Sequence, residues 1–247
     1  MSLGRWGSVV AAALAAAFLA VGCGGGAQPA SRSASSPGSA ASGAESLSGY
    51  WVSVAHVHHD FDTGDPFIVK IVARADRFLV TADGRVIGDS PLSDGRLAVT
   101  INEAPARLQL ASGELVLRGS GVSTTASRPP TYRRIDVRGG AVVDGVLRIV
   151  DRVSSWAVDH GDTYPPPDVV SQKGLAGQSG GGRYVRRWPD NPYTGEPMRS
   201  GQQPGDYQYA VDDSVSGFAM AGLGDDSKHL VTVDMGSGGG PSFTLNP

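Results

Sequence analysis

The sequence predicts an α+β protein in which a small antiparallel β-meander or barrel domain precedes a second domain that contains one helix. Three observations support this class. Short apolar runs are separated by Asp-Gly and Ser-Gly pairs, which reach the positive φ angles of tight hairpin turns. A stripe of apolar residues at helical spacing follows, and alternating strand patterns come after it. The 35 glycines and 16 prolines among 247 residues also favour turns over long helices.

The first 22 residues are typical of a bacterial export signal. Arg5 supplies a positive charge, and the apolar run over 9–21 is shorter than the roughly 20 residues that span a bilayer. Ala20-Val21-Gly22-Cys23 resembles the lipobox of bacterial lipoproteins, in which the cysteine receives a diacylglycerol. The resemblance implies an acylated Cys23 that anchors an exported protein to the outer face of the cell membrane.

Residues 23–46 are mostly Gly, Ser, Ala and Pro, a composition that predicts a disordered tether between the lipid and the fold. Since Cys23 is the single cysteine, the monomer has neither an intramolecular disulfide nor a cysteine-rich metal site. The 21 basic and 24 acidic residues are spread without blocks, which argues against a nucleic-acid partner.

Residues 47–136 are predicted to form the β domain. The expected turns are Asp83-Gly84, Asp94-Gly95 and Ser112-Gly113. Alternation between apolar and polar residues, clearest over 97–102, indicates strands with one buried face. The predicted strands cover 49–58, 67–73, 77–81, 97–101, 107–110, 114–118 and 131–136.

Gly49-Tyr50-Trp51 and Tyr132-Arg133-Arg134-Ile135 together resemble the lipocalin-like (calycin) pattern. The resemblance implies that Trp51 closes one end of a barrel, that an arginine of the last strand packs across it, and that Trp51 and Arg133 contribute to a ligand site. The residues alone favour a plainer interpretation. In it, Trp51 is a core side chain with Arg133 or Arg134 over its ring.

A histidine cluster raises the question of a zinc site at His56, His58 and Asp60. Alternate residues of a strand share a face, so two imidazoles could reach one metal. The string is similar to the H-x-H-x-D of metallo-β-lactamase-like hydrolases. Those enzymes need further histidines, and only His160 and His229 follow. The sequence therefore favours a polar strand end.

An amphipathic helix of about 18 residues is predicted to end near His160-Gly161. Its apolar stripe consists of Val142, Val146, Ile149, Val153 and Trp156. A hairpin at Asp144-Gly145 is the alternative, but the helical period continues through the whole stripe.

The second half resembles the C-terminal globular domain of the major type II secretion pseudopilins and related pilin-like proteins. The residues that carry the resemblance are 159–165, the Trp-Pro-Asp-Asn-Pro-Tyr segment at 188–193, and 204–209. The resemblance implies one helix packed on a three-stranded antiparallel sheet over 137–235, with 236–247 as a flexible tail. The prepilin-peptidase site and long apolar helix of that family are replaced by the lipobox, tether and β domain.

The pseudopilin resemblance also implies a calcium loop that would use Leu223, Asp225 and Asp226. Calcium takes 6–8 oxygen ligands, and the later aspartate pair of the family is missing. A solvated hairpin turn without calcium is therefore favoured, and no other cofactor is expected.

The sequence contains neither a nucleophile elbow nor a phosphate loop, so we expect a non-catalytic protein. The first hypothesis is a lipoprotein that contacts pilin-like or secretion-system proteins through its second domain. The alternative is a lipocalin-like lipoprotein that binds a small ligand, with the second domain as a structural module.

Overall fold

Fourteen strands and one helix follow each other along the described part of the chain. The computed structural model describes residues 47–54, 57–58, 65–122, 129–175, 187–236 and 241–246. The signal segment, Cys23, the tether, His56 and Asp60 lie outside these residues. Within the described part, no helix has the length and apolar character needed to cross a membrane.

Nine antiparallel strands form the first sheet, called here the barrel sheet. Its spatial order is β5-β4-β3-β1-β10-β9-β8-β7-β6. The strands are β1 (Gly49–Ser53), β3 (Ile68–Arg74), β4 (Arg77–Ala82), β5 (Arg85–Ser90), β6 (Leu92–Ser93), β7 (Arg96–Ile101), β8 (Ala104–Ala111), β9 (Glu114–Gly119) and β10 (Thr131–Ile135).

The barrel sheet nearly closes on itself because β5 meets β7. The Ser90 hydroxyl donates a hydrogen bond to the Ala98 carbonyl at 3.1 Å. A Cβ at Gly88 would lie 2.8 Å from the same carbonyl oxygen, so only glycine permits this approach. Side chains fill the interior, and the largest of them are Trp51, Tyr132, Ile71, Leu97, Leu108, Leu115 and Leu117.

Turn chemistry fixes the register of these hairpins. Positive φ angles at Asp83 and Gly84 (45° and 81°) and at Asp94 and Gly95 (50° and 70°) confirm two predicted turns. The predicted turn at Ser112-Gly113 is confirmed in the same way, with φ of 53° and 84°. A fourth such pair, Asn102-Glu103, joins β7 to β8 and was not predicted.

The helix α1 (Val137–Asp159) begins directly after β10. The Asp136 carboxylate caps it by accepting hydrogen bonds from the amides of Arg138 (3.0 Å) and Gly139 (2.9 Å). The helix runs unbroken through Asp144-Gly145, so the prediction of a helix is confirmed and the hairpin alternative is wrong.

A second antiparallel sheet has five strands in the order β11-β12-β13-β14-β2. Its strands are β11 (Tyr207–Val211), β12 (Phe218–Leu223), β13 (His229–Met235), β14 (Ser242–Leu245) and β2 (Val57–His58). The segment predicted as a flexible tail therefore contributes β14, and β2 comes from the region predicted as one long first strand. That strand ends at Ser53 instead.

The predicted α+β class, with one helix on a three-stranded sheet, is wrong. Of the described residues, 45% lie in strands and 14% in helix, and the arrangement is not that of a pseudopilin. Helix α1 contacts β1 and β3 of the barrel sheet as well as β12 and β13 of the second sheet. Since two sheets cover the helix, it is apolar on more than the single predicted stripe, with Val143, Leu147 and Val150 also buried.

Glycines make the close packing of α1 possible. A Cβ at Gly140 would lie 2.2 Å from the Tyr50 ring on β1. A Cβ at Gly222 on β12 would lie 2.6 Å from Val146 of the helix. Residues of both sheets and of α1 therefore share one hydrophobic core, which includes Tyr50, Val52, Ile68, Met220, Val231 and Val233.

Candidate functional site

The residues of the predicted barrel-end site are used for packing. Trp51 is 2% exposed and its indole N–H donates to the Leu47 carbonyl at 2.9 Å. Arg134, rather than Arg133, lies over the Trp51 ring at 5.9 Å and donates to the Ser48 carbonyl. Arg133 is exposed, and its partner on β1 is Val52, the residue after Trp51.

Of the predicted calcium residues, Leu223 ends β12, and Asp225 and Asp226 lie in the turn that follows. The Leu223 carbonyl accepts a hydrogen bond from the Gly205 amide at 2.9 Å. The Asp226 carboxylate accepts from the Lys228 amide and pairs with the Lys228 ammonium at 2.8 Å, and these contacts lower the pKa of Asp226. Asp225 is exposed.

Among the described residues, no three His, Cys, Asp or Glu side chains converge as a metal site would require. For the predicted zinc residues, His56 and Asp60 lie outside the described residues. The backbone of His58 pairs with Ser242 of β14.

The Trp-Pro-Asp-Asn-Pro-Tyr segment forms a loop that is held by buried hydrogen bonds. The Asn191 side chain donates to the Pro204 carbonyl (3.0 Å) and to the Asp206 carboxylate (3.3 Å), and it accepts from the Tyr193 amide (2.9 Å). The Trp188 indole N–H donates to a main-chain carbonyl at 2.7 Å. A concavity of about 270 Å³ adjoins this loop. The buried polar side chains in its lining, Asn191 and Asp206, already have hydrogen-bond partners within the loop region. These hydrogen bonds therefore stabilise the loop.

A second polar cluster lies on α1. Asp144 pairs with Arg148 at 2.6 Å. One oxygen of the Asp151 carboxyl and the Ser154 hydroxyl are buried, and neither has a hydrogen-bond partner among the described residues. Burial raises the pKa of Asp151 to about 6, against the opposing effect of Arg152 and of Arg85 on β5. Asp151 lines neither of the two concavities described in this section.

The strongest candidate is the outer surface of β7, β8 and β9, which carries Arg96, Arg107 and Arg118. We call these three residues the arginine face. They point outward because alternate residues of the same strands point into the barrel, including Leu97, Leu108 and Leu117. Arg107 stands directly opposite Arg118, and Arg96 stands opposite Gln109.

The charges of the arginine face are uncompensated. All three side chains are exposed, and none makes a hydrogen bond or ion pair with any residue that the structure describes. By contrast, Arg77 on β4 pairs with Asp89 at 2.9 Å. Like charges directly opposite each other destabilise a sheet, so the Arg107–Arg118 pair has a cost that a bound anion would offset.

The arginine face borders the larger concavity, with a volume of about 680 Å³. Besides the three arginines, its lining includes Pro105, Gln109 and Ser120. Guanidinium groups offer five N–H donors in a planar fork that matches phosphate and carboxylate oxygens. The arrangement can therefore bind an anion without a metal or another cofactor.

Sequence reasoning missed the arginine face because the three arginines are far apart in the chain. A usable signal existed. A two-residue turn at Ser112-Gly113 pairs residues that lie at equal distances before and after it. This rule places Arg107 opposite Arg118. The charge count alone gave no hint, since the arginines become neighbours only through the register.

No protein-family model, curated protein or solved structure matches this chain. The candidate site thus stands on the geometry and charges of the chain itself.

Proposed function

We propose that this protein is an exported, lipid-anchored binding protein that holds an anionic ligand on its arginine face. The observation that carries the proposal is a set of three exposed arginines that strand register gathers around one concavity. None of the three has a carboxylate partner among the residues that the structure describes. Such clusters are the usual means of recognising phosphate and carboxylate groups.

A binding role is favoured over a catalytic one by the chemistry of the arginine face. Arginine remains protonated at all physiological pH values, so these side chains can attract and orient an anion but cannot transfer a proton. The anchor at Cys23 and the tether after it would hold this surface outside the cell membrane.

The lipocalin-like alternative needs a cavity inside the barrel. Trp51, Tyr132 and other large side chains occupy that interior, which favours a ligand on the outer surface. A link to pilin-like partners remains a prediction, and the corrected fold removes the structural argument for it.

Two measurements test the proposal. For the anion site, the ¹⁵N-labelled mature chain with Cys23→Ser is titrated with inorganic phosphate while the arginine Nε–H signals are followed by NMR. We expect the signals of Arg107 and Arg118 to shift together and the response to disappear in Arg107→Gln. The matched control is Arg74→Gln, which removes an equal charge from β3, where Arg74 lies 3.8 Å from Asp89.

For the anchor, cells are labelled with a fatty-acid analogue. We expect incorporation into the natural chain and none into Cys23→Ala. Unshifted arginine signals at saturating phosphate would refute the anion site, and equal labelling of both chains would refute the anchor.

A further inference from the structure

Resting on the proposed function, we infer that the ligand of the arginine face is a linear phosphate polymer, and that one chain engages the Arg107–Arg118 pair and Arg96 together. The sheet places the Cβ atoms of these three residues at fixed spacings. That placement and the lining of the concavity, in which no described residue is aromatic, point to the class of ligand.

The spacing defines two adjacent anion positions. Side chains directly opposite each other on antiparallel strands have Cβ atoms about 4.5–5.5 Å apart, which applies to Arg107 and Arg118. Arg96 is a diagonal neighbour of Arg107, because Arg107 stands opposite Ala98, and such pairs are about 7–8 Å apart. Arg96 could reach a single small anion at the Arg107–Arg118 pair only by folding across the diagonal, whereas a chain with repeated charges meets all three side chains while they extend outward.

The Arg107–Arg118 pair favours phosphate over carboxylate. Two guanidinium forks that converge on one anion can donate four hydrogen bonds. An internal unit of a linear phosphate polymer has two non-bridging oxygens, as a carboxylate has. Successive units are joined through one bridging oxygen, so two adjacent units can accept from both forks, whereas the carboxylates of a peptide are separated by whole residues. An acidic peptide is therefore the less suitable ligand.

The lining argues against an apolar small molecule. Drug-sized ligands bind in pockets lined mainly by apolar and aromatic side chains. Pro105, Gln109 and Ser120 stand between or beside the arginines, and none of the described residues that line the concavity is aromatic. Recognition must therefore come from charge and hydrogen bonds.

A membrane surface is also less suitable than a polymer. The arginine face lines a concavity, and a flat layer of headgroups would meet its rim before its floor. The exposed large apolar residues of the described chain lie on other elements, so none of them could insert into lipid beside the arginines. They are Val54, Val72, Val86, Val137 and Val158.

The test compares three probes at equal phosphate concentration: linear polyphosphate, inorganic phosphate, and vesicles of phosphatidylcholine with phosphatidylglycerol. Binding to the mature chain with Cys23→Ser is measured by calorimetry, and by sedimentation for the vesicles. We expect polyphosphate to bind most tightly. Arg96→Gln and Arg107→Gln should each weaken it, while Arg74→Gln should leave it unchanged.

Salt dependence supplies a second readout, which counts the contacts made by the natural chain and by Arg96→Gln. With the value for single-stranded nucleic acids, about 0.7 released counterions per contact, three contacts give a slope of log K against log salt near −2, or about a twentyfold loss of affinity from 50 to 200 mM salt. With Arg96→Gln only two contacts remain, and the loss over the same range should fall to about sevenfold.

The outcomes separate the two proposals. If inorganic phosphate binds as tightly as the polymer, or if Arg96→Gln changes nothing, the polymer is refuted while the anion site stands. Stronger, Arg107-dependent binding to the vesicles would also refute the polymer and would identify the membrane as the ligand. If no probe binds, both proposals fail.

Discussion

Replacing Asp151 with asparagine should change how the stability of the protein depends on pH. Asp151 lies on α1, where burial raises the pKa of its carboxyl to about 6 from an ordinary value of 3.8. The folded state therefore holds a proton that the unfolded chain releases at lower pH. The stability linked to this proton is fully present below about pH 3.8 and is lost as the pH rises through about 6.

The size of the effect follows from the shift. A difference of about two pKa units corresponds to about 3 kcal/mol. Because Asp151 is only partly buried, solvent screening reduces the expected change to about 1–2 kcal/mol. Asparagine has nearly the same shape and cannot ionise. The stability of Asp151→Asn relative to the natural chain should therefore rise by about that much as the pH increases from 4 to 7.

Urea unfolding followed by tryptophan fluorescence at several pH values measures this difference at fixed ionic strength. Arg85→Gln serves as the companion variant. Since Arg85 of β5 lowers the pKa of Asp151, its removal should move the pH range of the loss upward. A constant difference in unfolding free energy between Asp151→Asn and the natural chain from pH 4 to pH 8 would show that burial does not raise the pKa of the Asp151 carboxyl.

Three further predictions concern packing. Gly140→Ala would place a Cβ 2.2 Å from the Tyr50 ring, so it should lower the unfolding free energy by about 1–3 kcal/mol, whereas Gly236→Ala, with open space around it, should change the melting temperature little. Arg134→Gln should cost about 0.5–1 kcal/mol by removing the cation over Trp51, and an unchanged melting temperature would contradict this. Asn191→Ala should lower the free energy of unfolding in urea by about 1–3 kcal/mol, because the buried Asp206 carboxylate loses a donor. A loss below about 0.5 kcal/mol would mean that water replaces the Asn191 amide as donor.

Local chemistry made parts of the barrel sheet predictable from the sequence. Asp83-Gly84, Asp94-Gly95 and Ser112-Gly113 each adopt the positive φ angles that their residue types favour. The alternation over β7 also places Leu97 in the core as expected. Strand β5 was missed because Gly88 and the polar residues of its second half obscure the pattern. The tight contact at Gly88 is a tertiary requirement that no local signal reveals.

Long-range pairing explains the incorrect class. Strands β2 and β14 have two and four residues, too few for a periodic signal, and they pair across most of the chain. The helix was recognisable from one apolar stripe, but its burial on a second side depends on Tyr50 and Val52 of β1. Motif similarity at Trp188 and Asn191 therefore identified a loop with its own hydrogen bonds and not the arrangement of the elements around it.

The position of α1 also explains why the arginine face lies where it does. Side chains fill the inside of the barrel sheet, and α1 covers the outer surface of β1 and β3. The outer surface of β7 to β9 is on the far side of β10 from the helix, so it remains open. On a solvent-facing strand, arginines without partners contribute nothing to the core, and a directly opposed pair opposes folding. Their placement together is therefore better explained by an anionic ligand than by stability, and neutralising Arg118 should leave the protein as stable as before or more so.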